Sequence, residues 1–336
     1  MRKLRIWRKL DERRTNMRTR GFGRGSPLRS AFVVVVSLAI IATSCSKSST
    51  TGGGGTPTST STGAAVASPV KDPTIASEVP SDVASAGTVT VATDASYAPN
   101  EYVDPQTQQI VGMDIDLGNA LATVLGLKFN FVNAGFDTII PGLQSGKFGL
   151  GMSSFTDTKE RQLVVDWVTY FSAGTSFYTN ATGAPAVTGL DSLCGLSVGV
   201  ESGTTQEHDS KAQSKKCTSA GNQAVNVQAF PDQNGANLAL SSARVQVVMA
   251  DSPVAAYAVK QSAGKFVLAG TPYGTAPYGI AIPRPAGTPQ GQAPMSKPIL
   301  DALKNLMATG VYQQILEKWG VQAGAIDNPQ INGAIS

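Results

Sequence analysis

Apolar and polar positions alternate with two different periods along the chain after residue 86. Residues 88–94, TVTVATD, have the period of two that is typical of a half-buried strand, whereas residues 114–126 place their apolar side chains at helical spacing and end at a glycine. In this first unit we predict strands at 88–94, 128–132 and 148–153 and helices at 114–126 and 136–144. Strands that alternate with helices favour a mainly parallel sheet.

The alternation restarts after residue 180. Its predicted elements are strands at 196–200, 225–229 and 245–250, a helix that begins at 204 and a helix through 235–241. The pattern therefore predicts a second α/β unit, and the fold class is α/β.

Two amphipathic helices are predicted near the end of the chain. Their apolar positions are Ile299, Ala302, Leu303, Leu306 and Met307 in the first, and Tyr312, Ile315, Leu316 and Trp319 in the second. These helices follow the second unit but have no strands of their own to cover. We therefore expect the chain to cross back, so that their apolar faces pack on the first unit.

The chain begins with a basic segment and an uncharged one. Residues 31–43, AFVVVVSLAIIAT, are too few to span a bilayer as a helix, which needs about 20 apolar residues, so we predict a signal peptide over 1–44. The small residues before Cys45 resemble the lipobox of bacterial lipoproteins. This implies an exported protein whose Cys45 carries a lipid, held to the membrane by that lipid alone. A signal anchor with an incidental cysteine, and a start at Met17, stay open.

Residues 45–85 follow the leader. They consist mainly of Ser, Thr, Gly and Pro and contain almost no large apolar side chain. Such a segment cannot bury enough apolar surface to order, so we predict a disordered tether between the lipid and the first unit.

The formal net charge of +4 is unevenly distributed. Residues 1–30 hold 11 of the 27 Lys and Arg and 2 of the 23 Asp and Glu, which leaves 16 basic and 21 acidic residues in the rest of the chain. A mildly acidic chain lacks the clustered cations that nucleic-acid binding requires. We therefore exclude nucleic acid as a partner.

Two cysteines remain once Cys45 is assigned to the lipid. Cys194 and Cys217 are 23 residues apart, and outside the cell such a pair is most simply a disulfide, which stabilises the fold by roughly 3 kcal/mol. The single histidine, His208, leaves a zinc site short of ligands. No metal and no cofactor is expected.

Residues 136–166 carry groups that suit a carboxylate. Arg161 lies just beyond a predicted buried strand, at the carboxyl end where α/β sheets bind their ligands. A guanidinium binds a carboxylate with two parallel hydrogen bonds, and Ser154 and Thr156 on the same loop can donate to the same group. Without this position, Arg161 would be interpreted as a solvated charge on an exposed turn.

Asp251 ends the predicted strand 245–250 and precedes Ser252 and Pro253. We predict Ser252 as the N-cap and Pro253 as the first helical residue, which leaves the Asp251 carboxylate available to an ammonium group. The alternative is a surface aspartate that interacts with the helix dipole.

A second polar turn lies at Thr204 and Thr205. Thr204 and Glu207 fit a capping box, and the first-turn amides of the helix, including that of Thr205, can bind an anion. Tyr97 and Phe136 each follow a predicted strand and have polar neighbours, so we expect them in a cleft, although both also fit a core.

From about residue 87 to residue 320 the chain resembles the family 3 solute-binding proteins, the amino-acid receptors of ABC importers. The matching stretches are TDASYAPNEYVD, GMDIDLGNAL, FDTIIPGLQSGKF, SSFTDTKER, GVESGTTQE and VMADSPVAAYAV. The resemblance implies a two-lobed periplasmic-binding-protein-like fold with two hinge strands, near 176–180 and 266–271, and a cleft between the lobes. Lobe 1 would comprise 86–178 and 272–322 and lobe 2 would comprise 179–271, with a C-terminal tail at 323–336.

The resemblance also implies roles for the polar residues. Arg161 would bind the carboxylate of a free amino acid with help from Ser154, Thr156 and the Thr204–Thr205 turn. Asp251 would bind the ammonium group, Tyr97 and Phe136 would pack on the ligand side chain, and Asp94 would lie near its tip. The expected partners are an amino acid and the ABC permease subunits, the protein is expected to be a monomer, and it would face the cell exterior or the periplasm.

Two positions depart from the family pattern in ways that affect the site. Asn100 stands where an aromatic residue is common, and Glu201 stands where Lys or Gln is frequent. Glu201 and Asp94 together would disfavour an acidic side chain, so the interpretation favours a neutral polar or cationic amino acid.

Two alternatives stay open. An enzyme similar to the cyclohexadienyl dehydratases would use the same scaffold, with Glu160 or Glu201 as its acid or base. A sensor ectodomain would need a further membrane segment or an output domain, which we do not expect here.

Overall fold

A computed structural model describes residues 68–335. The predicted signal peptide, Cys45 and the first part of the predicted tether lie outside the described residues. The strands are β1 (Thr88–Thr93), β2 (Ser96–Tyr97), β3 (Glu101–Val103), β4 (Ile110–Val111), β5 (Lys128–Asn133), β6 (Leu150–Gly151), β7 (Val165–Asn180), β8 (Ser197–Glu201), β9 (Asn226–Phe230), β10 (Val247–Asp251) and β11 (Phe266–Pro283). The helices are α1 (Pro73–Ala76), α2 (Ser81–Ala86), α3 (Met113–Leu125), α4 (Phe136–Gln144), α5 (Lys159–Gln162), α6 (Thr205–Ser219), α7 (Gln233–Ser241), α8 (Ser252–Gln261), α9 (Ser296–Ala308) and α10 (Val311–Trp319).

The main sheet has eight strands in the order β5-β1-β6-β11-β7-β10-β8-β9. At one end β1 pairs in parallel with β5 and β6, and at the other β8 pairs in parallel with β9 and β10. Between these groups, β7 and β11 are antiparallel to each other and to their outer neighbours. The two parallel units predicted from the alternation therefore form the two ends of one sheet.

The strands β7 and β11 run through both units. The stretches predicted as hinge strands, 176–180 and 266–271, lie at the end of β7 and the beginning of β11. The pairing register between these strands shifts between Ala269 and Tyr273 and again before Ala276. Gly270 and Gly274 in this stretch have φ values of 65° and 64°, which glycine adopts without the strain that a side chain would cause.

The apolar cores belong to separate ends of the sheet. Leu117 and Leu121 of α3 share one cluster with Leu303 and Leu306 of α9 and Leu316 of α10. The expected return of the C-terminal helices to the first unit is thus confirmed. In the second unit, α7 and α8 pack on one face of the sheet and α6 packs on the other.

The predicted disordered tether extends too far along the chain. Residues 73–76 and 81–86 are helical, Val79 is buried, and Ile75 and Val83 pack against the core of the first unit. Val79 lies between the two helices, so the three apolar residues pack on the first unit from separate short elements. They are sparse among small and polar residues, and the composition of the segment therefore concealed them.

The segment predicted as a tail, 323–336, is also partly ordered. Ile331 forms an antiparallel bridge with Val168 of β7, and the backbone amide of Thr169 donates to the carbonyl oxygen of Gln330 at 2.9 Å. Ile331 is half-buried against the core of the first unit. This segment therefore belongs to the first lobe.

The two remaining cysteines are joined. Cys194 and Cys217 form a disulfide whose Cα atoms are 5.6 Å apart. Cys217 lies on α6 and is buried in the apolar cluster of the second unit. The disulfide therefore fastens α6 to the segment that leads into β8.

Candidate functional site

A pocket lies between the two lobes, at the carboxyl ends of β1, β6, β8 and β10. It encloses about 280 Å³ of empty space, including its opening to solvent. Its lining residues are Asp94, Tyr97, Phe136, Ser153, Ser154, Thr156, Arg161, Glu201, Thr204, Thr205, Gln206 and Asp251. Every predicted ligand-binding residue is among them, because the parallel strands of the first lobe run opposite to those of the second, so that the carboxyl ends of both groups face the cleft.

Arg161 is positioned by its helix and by two aromatic rings. It lies on α5, which begins after Thr158, and its Nη1 donates to the carbonyl oxygen of Thr156 at 2.8 Å. Its guanidinium carbon is 5.5 Å from the ring centroid of Phe136 and 5.4 Å from that of Phe155, and these two rings stack on each other. Burial lowers the pKa of Arg161 to about 10, so the side chain keeps its charge at neutral pH.

The same side chain reaches the opposite lobe. Arg161 Nη2 donates to the carbonyl oxygen of Gly203 at 2.9 Å. Gly203 has a φ of +81°, and a Cβ there would lie 2.9 Å from the Cβ of Asp137 in the first lobe. The lobes approach closely at this point, and glycine makes that approach possible.

The first turn of α6 faces Arg161. Thr204 is the N-cap, and its Oγ1 accepts from the amide of Glu207 at 3.2 Å, as predicted. The carboxylate of Glu207 accepts from the amide of Gly203, one residue earlier than a capping box requires. A helix leaves its first amides without helical partners, and Thr205 and Gln206 are the first two residues of α6. Arg161 and these amides thus converge on one position where a carboxylate can bind.

The Asp251 carboxylate does not cap its helix, but the predicted reason was wrong. Asp251 itself has the N-cap position of α8 without a side-chain capping bond, and Ser252 is the first helical residue. Ser252 Oγ instead donates to the carbonyl oxygen of Gly174 in β7. Asp251 Oδ1 accepts from Gln206 Nε2 at 2.7 Å, and burial raises the pKa of Asp251 to about 6.

Tyr97 joins the lobes on the other side of the pocket. Its hydroxyl accepts from the backbone amide of Asp251 at 3.0 Å, although Tyr97 belongs to the first lobe and Asp251 to the second. The ring of Tyr97 is buried against an apolar cluster of the second lobe. Nearby, Ser96 Oγ accepts from the amide of Gln233 at 3.0 Å. Tyr97 is thus both a pocket wall and an interlobe contact.

A pair of carboxyl groups, Asp94 and Glu201, lies in the same pocket. Asp94 directly follows β1 and Glu201 is the last residue of β8, so the two groups come from opposite lobes. Both groups line the pocket, and burial raises the pKa of both, that of Glu201 well above its usual range. Asp94 is held in place by the amide of Phe136, which donates to Oδ2 at 3.1 Å.

A second pair of carboxyl groups, Glu101 and Asp114, supports the pocket from inside the first lobe. Both side chains are fully buried. Ser154 Oγ is 3.1 Å from Glu101 Oε2, and the Ser154 amide donates to Asp114 Oδ2 at 2.8 Å. Asn100, the departure from the family pattern, donates to Ser154 Oγ at 2.9 Å. This network holds Ser154 at its positive φ of 49°.

Three pocket residues were absent from the predicted site. Glu201 was considered for selectivity and as the acid or base of an enzyme, and Gln206 and Ser153 were missed. Ser153 Oγ accepts from the amide of Asp94 at 2.8 Å, so it positions a predicted residue. Gln206 sits next to the predicted Thr205 in the first turn of α6, which is the signal that was available.

The described residues contain neither a membrane-spanning helix nor a cluster of metal ligands. Among residues 68–335, none of the helices combines the length and apolarity that crossing a bilayer requires. Over the same residues, His, Cys, Asp and Glu side chains form no group of three or more that could hold a metal ion.

Comparison with known proteins agrees with this architecture. The family model of the bacterial extracellular solute-binding proteins, family 3, matches residues 89–322. The chain is 32% identical to the arginine-binding protein ArgT of Corynebacterium glutamicum over 262 residues, which are 77% of this chain and 83% of that protein.

Solved structures are similar over most of their length. An ancestral arginine-binding protein bound to arginine is 36% identical, with a TM-score of 0.62 over 69% of this chain and 98% of that one. Its glutamine-bound form is 34% identical, with a TM-score of 0.62 over 70% and 98%. The ancestral amino acid-binding protein AncCDT-1, a precursor of cyclohexadienyl dehydratase, is 33% identical, with a TM-score of 0.62 over 71% and 97%.

The chain therefore belongs to the bacterial extracellular solute-binding proteins of family 3, and its two-lobed α/β fold is the fold of its structural neighbours.

Proposed function

We propose that this family 3 protein binds a free amino acid with a cationic side chain, arginine above all, between its lobes and delivers it to an ABC importer. The observation that carries the proposal is the distribution of charge in the pocket. Among the described residues that line it, Arg161 is the only cation, whereas Asp94, Glu201 and Asp251 are acidic. The arginine-binding relative and the arginine-bound ancestral structure support the same ligand class.

On the ligand Cα, the carboxylate would contact both lobes and the ammonium group would contact the second lobe. Arg161, Ser154 and Thr156 with the first-turn amides of α6 would hold the carboxylate, and Asp251 would hold the ammonium group. A guanidinium that lies against two aromatic rings and donates to two backbone carbonyl oxygens is already oriented, so less side-chain entropy is lost when the carboxylate binds. Because both lobes contribute, the ligand favours the closed arrangement of the lobes, which the permease would recognise.

The side chain of the ligand would point to Asp94 and Glu201, with Tyr97 and Phe136 packed beside it. A cationic tip neutralises two buried carboxyl groups, whereas an acidic tip would add a third negative charge in a site of low polarity. This is the physical reason for preferring arginine or lysine to glutamate.

The cellular setting is proposed from the family and from the N-terminal sequence. An extracellular family, a predicted signal peptide over 1–44 and the lipobox-like Cys45 support an exported monomer with a lipid anchor. The disulfide between Cys194 and Cys217 fits an oxidising exterior.

A thermal-shift screen of the twenty amino acids on the purified protein tests the proposal. A ligand at a hundred times its dissociation constant should stabilise the fold by about 2.7 kcal/mol. We expect arginine to give the largest shift, and Arg161→Ala to abolish the shift while the melting point without ligand stays nearly unchanged.

The matched control is Arg244→Ala. Arg244 is an exposed arginine of the second lobe, and its guanidinium also lies over an aromatic ring, that of Phe230. Its loss should leave the arginine response intact. An equal response in Arg161→Ala would remove the carboxylate assignment, and glutamate bound tenfold more tightly than glutamine, arginine or lysine would overturn the ligand class.

One observation favours an enzyme as the second candidate. Glu201 is a buried acid whose pKa is raised well above its usual range by burial, and such a group can protonate a leaving group. The precursor of cyclohexadienyl dehydratase is a structural neighbour, but it is itself named as an amino acid-binding protein. Turnover of prephenate or arogenate that is lost in Glu201→Gln would establish this candidate.

A further inference from the structure

Of the two carboxyl groups of the cleft pair, Asp94 and Glu201, Glu201 lacks a hydrogen-bond partner for one oxygen within residues 68–335. Glu201 is 2% exposed and Asp94 is 4% exposed, and Glu201 Oε1 has no hydrogen-bond partner among the described residues. A buried ionised carboxylate without a donor is costly, so a carboxyl group in this position retains a proton or binds a cation. Glu201 lines the pocket, so its side chain borders the space that a ligand would occupy.

The surroundings supply further negative charge. The groups that face Glu201 are Asp94 after β1, Asp232 at the start of α7, Asp251 at the end of β10, Tyr97 of β2 and Tyr178 of β7. Both tyrosines are neutral at ordinary pH, because burial raises their pKa values. The pocket cation, Arg161, donates to the carbonyl oxygens of Thr156 and Gly203. The protein itself thus offers Glu201 carboxyl and hydroxyl neighbours.

Two buried carboxyl groups that line one pocket can share one proton. Burial raises the pKa of both groups, and that of Glu201 well above its usual range. Asp94 accepts from the amide of Phe136, which stabilises its negative charge. The shared proton therefore resides on Glu201, the group with the orphaned oxygen.

We propose that Glu201 determines specificity at this site: it shares a proton with Asp94 across the cleft, releases it when a cationic side chain enters, and keeps it for a neutral one. The inference rests on the proposed function and deepens it. A guanidinium has donors on both edges of its planar fork, so it can donate to a carboxylate from each lobe at once. A neutral amide offers fewer donors and leaves one proton in the pair.

The proposal predicts a difference in proton release between arginine and glutamine. Asp251 meets the ammonium group of either ligand, so any proton that it loses is the same for both. Subtracting the glutamine value from the arginine value isolates the protons released by the pair of Asp94 and Glu201. We expect a difference close to one proton per molecule at pH 6.

Isothermal titration calorimetry of the purified protein measures this number. Each ligand is titrated at pH 6 in two buffers with different ionisation enthalpies, and the slope of the observed enthalpy against buffer enthalpy gives the protons released. A difference near one supports the proposal. Equal proton release for arginine and glutamine overturns it, whichever variants fold.

The variant Glu201→Gln removes the titrating group and keeps its shape. We expect at least a tenfold loss of arginine affinity, loss of the difference in proton release, and glutamine affinity within threefold of the unmodified protein. The matched control is Glu317→Gln, which changes the same charge on an exposed residue of α10 that does not line the pocket. It should change neither affinity nor proton release.

The results separate this inference from the proposed function. Arginine that binds through Arg161 with unchanged affinity and proton release in Glu201→Gln would overturn the role of Glu201 and leave the proposed function standing. If arginine fails to bind the unmodified protein at all, both are overturned.

Discussion

The first lobe and the cleft each contain a pair of buried carboxyl groups, and the two pairs differ in their partners. The inner pair, Glu101 and Asp114, lies within one lobe. Asp114 Oδ2 accepts from the Tyr170 hydroxyl at 2.7 Å and from the Ser154 amide at 2.8 Å. The cleft pair, Asp94 and Glu201, joins two lobes. Each pair leaves one oxygen without a partner among the described residues, Asp114 Oδ1 in the inner pair and Glu201 Oε1 in the cleft pair, but only the cleft pair lines the pocket.

The difference distinguishes a structural carboxyl group from one prepared for a ligand. A buried acid surrounded by donors fixes the geometry of its neighbours, and the inner pair fixes the loop that carries Ser153 and Ser154. A buried acid without donors lowers stability until a ligand completes it, as binding sites commonly do. The predictions below test this contrast.

The largest effect is expected for Asp114→Ala. The change leaves the Tyr170 hydroxyl and the Ser154 amide without an acceptor in a buried place, which should lower the free energy of unfolding by about 3 kcal/mol. Urea unfolding of the unliganded protein at pH 7 measures the loss. A change below about 0.5 kcal/mol, the usual limit for surface substitutions, would show that the inner pair is not a structural support.

The next effect is a dependence of the free energy of unfolding on pH. Its sign is opposite to that of acid denaturation. Burial raises the pKa of Asp114 to about 6 and that of Glu101 and Glu201 well above their usual range. The folded form therefore binds these protons more tightly than the unfolded chain. These groups stabilise the fold fully below the pKa values that they have in the unfolded chain. This stabilisation is lost as the pH rises through the pKa values that they have in the folded protein.

Stability without ligand should thus fall between pH 5 and pH 7, by roughly 1.4 kcal/mol per pH unit for each proton involved. Urea unfolding at pH 5, 6 and 7 gives the slope. Saturating arginine should remove the pH dependence that the cleft pair causes and leave the pH dependence that the inner pair causes. A stability that rises over this range would contradict the assignment of the protons in both pairs.

A smaller effect of opposite direction is expected for Glu201→Gln. Removing the acid should raise the free energy of unfolding without ligand at pH 7 by about 1 kcal/mol, because a buried acid without donors is replaced by a neutral amide. Urea unfolding compares it with Asp114→Ala under the same conditions. A loss as large as that of Asp114→Ala would make the cleft pair structural too.

The smallest effect is expected for Glu101→Gln. Burial and the charge of Asp114 raise the pKa of Glu101 well above its usual range, so glutamine replaces a neutral group by another neutral group of similar shape. Stability at pH 5 should stay within about 0.5 kcal/mol, as for a substitution that loses no contact. The dependence of the free energy of unfolding on pH should nevertheless become shallower by the contribution of one proton. An unchanged slope would mean that Glu101 does not hold this proton.

Local patterns in the sequence were sufficient for much of the fold. The alternation at 88–94, the helical spacing at 114–126 and the apolar faces of the C-terminal helices each correspond to an observed element or contact. The ordered segment at 73–86 was missed, because its three core contacts are too sparse to stand out from a polar composition. The capping assignment of Ser252 failed because a β7 carbonyl competes for its hydroxyl.

The sequence by itself determined the family, the two α/β units and the residue types at the carboxyl ends of the strands. Its motifs identified Arg161 and Asp251 as opposite charges of one site, since such groups follow buried strands. Only the tertiary structure decided which acids meet. Glu201 and Asp94 are far apart in sequence, and the burial, proton sharing and missing donor of Glu201 depend on how two lobes approach, which no local pattern encodes.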